Sequence, residues 1–68
     1  MLIGYFNEYK NYIGTIEYDI ETNTYYGETI NSDNKSYASY KSDNFLELEN
    51  YFHKSVDELI DYNRGNII

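Results

Sequence analysis

The stretch from Ser42 to Gly65 constrains the fold of this chain more than any other. Its apolar residues recur at steps of three and four, which places them on one face of a helix: Phe45, Leu48, Phe52, Val56 and Leu59. Asn44 stands where an N-cap belongs, and Glu47 can reach back to its N–H as in a capping box. Gly65 can take the left-handed C′ conformation. We predict one amphipathic helix over residues 44–63, which leaves room in 68 residues only for a small sheet.

Alternating side chains predict strands before this helix. Residues 9–18 alternate cleanly, and a polar turn separates them from a second strand over 25–30. A third strand is predicted over 37–41, residues 1–6 can add an edge strand, and the last three residues could begin one more. The predicted fold class is α+β: a three- or four-stranded antiparallel meander with one helix packed on one face, in the order β-β-β-α.

The predicted core lies between the helix stripe and one face of this sheet. That face carries Ile16, Tyr18 and Tyr40. Gly14 and Gly27 fall inside strands, where a glycine indicates that the helix or another backbone approaches closely.

Length and charge limit the classes of function. The 68 residues form a single domain, residues 1–68, without cysteine and therefore without disulfides. Twelve acidic against five basic residues give a formal net charge of −7, which repels nucleic acid and anionic membranes and attracts a basic partner. The alternative is that the charge only keeps a small domain soluble. The apolar N-terminus is too short for a signal peptide or a membrane span, so we expect a cytosolic protein, or one in the host cytoplasm if it is phage-encoded.

Three segments in order resemble one known family: YKNYIGTIEYD, then YYGE, then SDNFLELENYFHKSVDELIDYNRG. Together they are similar to the N-terminal domain of HicB-family antitoxins over residues 9–65. The resemblance implies a degenerate RNase H-like fold without catalytic residues, which binds and masks a small basic ribonuclease toxin of the HicA type. Full antitoxins continue into a DNA-binding domain and this sequence does not, so operator binding is not expected. Residues 30–37 also depart from the family pattern, which indicates a rebuilt loop before the third strand.

No group of residues points to catalysis. A two-metal hydrolase would need converging carboxylates, and the nearest candidates are Glu17, Asp19, Glu21 and Glu28. We interpret these as solvated strand and turn charges. His53, the single histidine, has no serine or cysteine partner and is expected to be a half-exposed structural residue. We predict no enzyme activity, no metal and no cofactor.

The predicted partner-binding surface lies on the helix, away from the apolar stripe. It consists of Glu47, Tyr51, Asp57, Glu58, Asp61 and Tyr62. Acidic groups there would complement a basic groove and speed association, and tyrosines are common at interface hot spots. The alternative interpretation is an ordinary solvated face. A second predicted surface, for self-association as a homodimer, carries Ile13, Tyr26 and Ile30 on the uncovered face of the sheet.

The favoured function is therefore a non-catalytic acidic inhibitor that masks a basic nucleic-acid-binding protein such as a ribonuclease toxin. The alternative is a phage anti-defence protein of the anti-CRISPR type, which would act on a CRISPR effector as a nucleic-acid mimic. A degenerate RNase H-like hydrolase is the third hypothesis. For the favoured function we expect no direct binding to nucleic acid and no binding to a membrane.

Overall fold

The structure, a computed structural model, describes residues 1–31 and 35–65. In chain order it contains β1 (Leu2–Tyr5), β2 (Ile13–Asp19), β3 (Thr24–Ile30), β4 (Ser36–Ser42) and α1 (Phe45–Gly65). The four strands form one antiparallel sheet in the order β1-β2-β3-β4, followed by the single helix. The predicted α+β class is confirmed, with four strands. The rebuilt loop expected at residues 30–37 lies partly outside the described residues, and the strand proposed for the tail lies wholly outside them.

The first turn explains where β2 begins. Lys10 and Asn11 both have positive φ, 50° and 74°, as the two central residues of a type I′ turn require. Tyr9 and Tyr12 close this turn with backbone hydrogen bonds of 2.8 and 3.0 Å. The turn interrupts the extended backbone, so β2 begins at Ile13 and not at Tyr9 as predicted.

The N-terminus of the helix is capped as the sequence indicates, but by a different set of bonds. The Asn44 Oδ1 accepts a 3.0 Å hydrogen bond from the N–H of Leu46, so Asn44 is the N-cap. The N–H of Asn44 itself donates to Ser42 Oγ at 3.0 Å, which is the bond that the predicted capping box assigned to Glu47. At the other end the helix includes Gly65, which is its last residue and not the residue beyond it.

The core lies between the helix and the sheet, as predicted. Leu48, Phe52 and Val56 have no exposed surface, and they pack with the buried Tyr12, Ile16 and Tyr40 from the sheet side. The two ends of the predicted stripe differ from its centre. Phe45 is still 43% exposed and meets the ring of Tyr25 edge-on, and Leu59 is partly buried at the margin of the core.

Both strand glycines provide the close approach that the sequence predicts. A Cβ on Gly14 would lie 2.7 Å from the Phe52 ring, so the missing side chain lets the central helix residue reach the sheet. A Cβ on Gly27 would collide with the Thr15 carbonyl oxygen and with the Tyr40 ring. These two positions set the distance between the helix, β2 and β4.

Candidate protein-binding surface

The six residues of the predicted partner-binding surface lie on the side of the helix away from the apolar stripe. At 100° per residue they span an arc of about 140°, with Tyr62 at one margin and Asp57 at the other. We call the part that carries Glu47, Tyr51, Glu58 and Tyr62 the cleft flank, and the part that carries Asp57 and Asp61 the loop flank. The two flanks share one face of the helix but have different neighbours in the fold.

On the loop flank, Asp57 is held by the β1–β2 connection. Lys10 Nζ donates to its Oδ1 at 2.8 Å, and the Tyr9 hydroxyl donates to the same oxygen at 3.0 Å. The hydrogen bonds from Lys10 and Tyr9 lower the pKa of the Asp57 carboxyl, and those to Asp57 and Tyr9 raise the pKa of Lys10. The charge of Asp57 is thus already matched within the chain, which reduces what it can offer a partner.

Tyr9 fastens the same connection to the helix through its ring. The ring stacks on that of the half-buried His53, with centroids 4.0 Å apart and an angle of 17° between the planes. It also meets the buried Phe52 edge-on at 6.3 Å. His53 therefore has a packing role, and the contact places Lys10 beside Asp57.

On the cleft flank, helix and sheet enclose an open cleft of about 790 Å³. Tyr51 and Glu58 line it from the helix, together with Lys54 and Ser55, which sequence analysis did not single out. The sheet contributes carboxylates and one cation to the same cleft: Asp19, Glu28 and Lys41. The cleft therefore mixes charges of both signs around a tyrosine-rich wall.

Beyond Val56, the residues of the predicted partner-binding surface are at least partly exposed to solvent. No side chain over 57–62 is buried, and Tyr62 is 68% exposed. Glu58 and Asp61 are exposed and make no ion pair with the part of the chain that the structure describes. These two carboxylates, unlike Asp57, are available to an external cation.

The predicted self-association residues lie on the face of the sheet opposite the helix. Ile13 and Ile30 are cross-strand partners, and both line a groove of about 710 Å³ with Tyr5 and Phe6 from the N-terminal segment. Tyr26 lies further along β3, paired with Lys41 and Glu17. The three residues share a face, but Tyr26 is separated from the isoleucine pair.

The four carboxylates considered as a metal site do not converge. The Asp19 Oδ1 accepts a 3.0 Å hydrogen bond from the Glu21 N–H, which makes a local turn at the end of β2. Over residues 1–31 and 35–65, no group of three or more histidine or acidic side chains could hold a metal ion. Within those residues, no helix is long and apolar enough to cross a membrane.

Comparisons with family models, with curated proteins and with solved structures found no match to this chain. The similarity to HicB-family antitoxins is thus carried by the order and spacing of the three segments and stays a prediction.

Proposed function

We propose that this chain is a non-catalytic inhibitor that binds a basic nucleic-acid-acting protein and masks its nucleic-acid site, as a HicB-like antitoxin masks a ribonuclease toxin. The observation that carries the proposal is the acidic, tyrosine-bearing end of the helix. Glu58 and Asp61 are exposed there without an internal cation, and Tyr62 adds a rigid exposed ring beside them. Such a surface suits a basic groove, because opposite charges steer the encounter and the aromatic ring supplies contact area.

The overall charge acts in the same direction. A formal net charge of −7 on 68 residues attracts a basic protein at long range and opposes direct binding to nucleic acid. The ion pair between Lys10 and Asp57 removes one acidic group from the partner surface, so we assign the contact to Glu58, Asp61 and Tyr62, with Glu47 and Tyr51 at its cleft-side margin.

The test is affinity capture from the native host with tagged wild-type chain, and with a Glu58→Lys/Asp61→Lys variant as the matched control. We expect the wild type to retain a basic protein that cuts or binds nucleic acid and the variant to lose it. The captured protein is then purified and assayed for RNA or DNA cleavage with and without the wild-type chain. A captured CRISPR effector whose DNA binding is blocked would select the nucleic-acid-mimic alternative. A partner retained equally by both baits, or a nuclease left uninhibited, would reject the proposal.

A further inference from the structure

The face of the sheet that turns away from the helix, the outer face, ends in a group of apolar side chains. Gly14 lies against the helix, so its neighbours Ile13 and Thr15 point outward. Direct cross-strand partners share a face, and Ile13 pairs with Ile30 while Thr15 pairs with Tyr5 of β1. Tyr5 is 60% exposed and Ile13 41%, and both line a groove of about 710 Å³ with Ile30. We call Tyr5, Ile13 and Ile30 the apolar end of the outer face.

The isoleucine pair is fixed in place by regular strand pairing. The β2–β3 ladder runs from Ile13 and Ile30 to Asp19 and Thr24 without a register shift. The irregularity beside Ile30 affects its pairing with β4 and leaves its position opposite Ile13 unchanged. Because the surface is already ordered, a molecule that binds there loses little free energy to the ordering of the strands.

The charged residues of the outer face lie toward its other end. Glu17 pairs with Tyr26, and Tyr26 pairs with Lys41, so these three form one row across the strands. Glu28 lies between this row and the isoleucine pair. Of the described residues that line the groove at the apolar end, Glu8 alone is charged. The outer face therefore changes from charged to apolar along the strands.

A second copy of this chain is the occupant that this distribution of charge favours. Two molecules of net charge −7 repel each other over most of their surfaces, so they meet most favourably where carboxylates are few. A basic partner is drawn to the carboxylates of the helix instead, and the apolar end offers it only Glu8. Among the described residues only six apolar or aromatic side chains are buried, and a domain this small gains stability when association buries more.

A face-to-face arrangement fits these side chains. Sheets that pack in this way lie about 10 Å apart. A two-fold axis that crosses the strands at the isoleucine pair places Ile13 and Ile30 against the same residues of the second copy. The axis also reverses the strand direction, so the charged ends of the two outer faces point away from each other. The exposed Tyr5 ring of each copy then lies at the groove of the other, where its hydroxyl can donate to the Glu8 carboxylate.

We propose that two copies associate through the apolar ends of their outer faces, with the isoleucine pairs in contact on a two-fold axis and each Tyr5 in the groove of the other copy. Compared with the surface predicted from the sequence, Tyr5 takes the place of Tyr26, which lies in the charged row. The helix packs on the opposite face of the sheet, so Glu58 and Asp61 of both copies remain exposed for the partner of the proposed function. The association does not depend on what that partner is.

Chemical cross-linking tests this geometry, because the chain has no cysteine of its own. The two copies of residue 13 face each other across the axis, separated by about the 10 Å between packed sheets. We expect a bismaleimide reagent of that length to convert dilute Ile13→Cys into a covalent dimer. Leu46→Cys is the matched control, since this side chain is 83% exposed on the helix, and it should stay monomeric. Cross-linking of both variants to the same extent would overturn the proposal.

Sedimentation measures the strength of the association without a reagent. Ile13→Asp places the carboxylates of the two copies against each other, so it should raise the dimer Kd by roughly tenfold or more. Leu46→Asp is the matched control, because it also changes the net charge from −7 to −8 but lies on the helix. It should change the Kd much less, and circular dichroism verifies that both variants are folded.

Tyr5→Ala is a second variant that keeps the test valid if Ile13→Asp does not fold. The Tyr5 side chain is outside the core, so its truncation should leave the fold intact and weaken the dimer. Added salt should strengthen the wild-type dimer because it screens the repulsion between the two acidic chains, whereas it should weaken a complex with a basic partner. A wild-type chain that sediments only at 8.1 kDa at high concentration and high salt would overturn the proposal, as would equal Kd values for Ile13→Asp and Leu46→Asp.

Discussion

The hydroxyl of Tyr40 donates a 2.7 Å hydrogen bond to the carbonyl oxygen of Thr15, from a strand two places away in the sheet. The bond passes over Gly27 on the intervening strand, where any side chain would collide with both groups. The Thr15 hydroxyl meanwhile accepts from the Glu28 N–H, so side chains replace part of the β2–β3 ladder at this point. One glycine and one tyrosine thus tie three strands together beneath the helix.

Tyr40→Phe should destabilise the fold by about 1–3 kcal/mol, because it leaves the Thr15 carbonyl buried without this donor. Urea denaturation followed by circular dichroism measures the loss. The ring itself remains to pack against Phe52, so the variant should still unfold in one cooperative step. Stability within a few tenths of a kcal/mol of the wild type would mean that the hydrogen bond contributes nothing net.

The same tyrosine predicts how stability changes at high pH. Burial raises the pKa of the Tyr40 hydroxyl well above its usual value near 10, and the nearby Glu17 and Glu28 raise it further. The folded chain therefore holds this proton more tightly than the unfolded chain does, so stability is intact below pH 10 and falls as the pH rises above it. Tyr40→Phe should show a shallower alkaline decline than the wild type. Parallel curves for the two proteins would contradict this assignment.

Gly27→Ala should cost more stability than the ordinary glycine-to-alanine change, because its Cβ would meet a backbone carbonyl that cannot move aside. Gly4→Ala is the matched control, since nothing lies within 4 Å of its Cβ. Overpacking of this kind typically costs about 1–3 kcal/mol. Thermal melts of both variants measure this cost. Equal melting temperatures for Gly27→Ala and Gly4→Ala would show that the Thr15 carbonyl and the Tyr40 ring can move away from Gly27 at little cost.

Phe52→Ala tests the centre of the core. Phe52 has no exposed surface and touches the rings of Phe6, Tyr9 and Tyr40. Truncation of a buried phenylalanine costs about 3–5 kcal/mol, which is comparable with the whole stability of a small domain. We expect loss of the cooperative thermal transition. Leu46→Ala is the control on the same helix, because that side chain is 83% exposed and should leave the melt almost unchanged.

Periodicity was sufficient to predict the parts of this fold that depend on local spacing. The helix stripe and the strands follow from repeats of two or of three to four residues, and the close approaches at Gly14 and Gly27 follow from glycines placed inside those strands. The turn at Lys10 and Asn11 was not predicted, because the alternation of side chains in the sequence continues through it. Its left-handed backbone has a weak signal in Asn11, a residue that tolerates positive φ.

The candidate site was less predictable, because its contacts join residues far apart in the chain. Asp57 looked like one member of an acidic strip, yet Lys10 lies against it across 47 positions of sequence. Likewise Lys41 and Lys54 enter the same cleft as Glu58 only once the helix is packed along β4. Hydrophobic spacing defines which face of a helix is buried, but not which loop folds against its flank.

Asp57→Asn should make the loss of stability at low pH less steep. The hydrogen bonds from Lys10 and Tyr9 lower the pKa of the Asp57 carboxyl, so this group stabilises the fold above the ordinary aspartate pKa near 4. That contribution is lost as the pH falls through the lowered pKa. Denaturation midpoints between pH 2 and 6 should therefore fall less steeply for the variant than for the wild type. Lys10→Met should reproduce much of this effect, because it removes one of the two hydrogen bonds to Asp57. Denaturation midpoints that change with pH in the same way for all three proteins would contradict the prediction.

The last prediction concerns the partner surface and uses only the carboxylates that the fold leaves available. Replacing both Glu58 and Asp61 by lysine raises the formal net charge by four, from −7 to −3. Because neither side chain is buried or paired in the described part of the chain, the variant should fold as the wild type does. Asp57 is kept, since a lysine there would stand against Lys10. Exposed charges chiefly control association rates. At low salt, the association rate of the variant with the partner should therefore be lower than that of the wild type by about tenfold or more.

A second variant separates local attraction from net charge. Glu8→Lys/Glu21→Lys also has a net charge of −3, but its changes lie in the β1–β2 and β2–β3 connections, away from the helix end. Surface plasmon resonance with the captured partner should show slow association for the helix variant and a much smaller change for this control. Wild-type association should slow as salt screens the attraction, whereas that of the helix variant should respond less. Equal rates for the two variants would mean that net charge alone acts, and unchanged rates in both would place the contact on the sheet and its tyrosines.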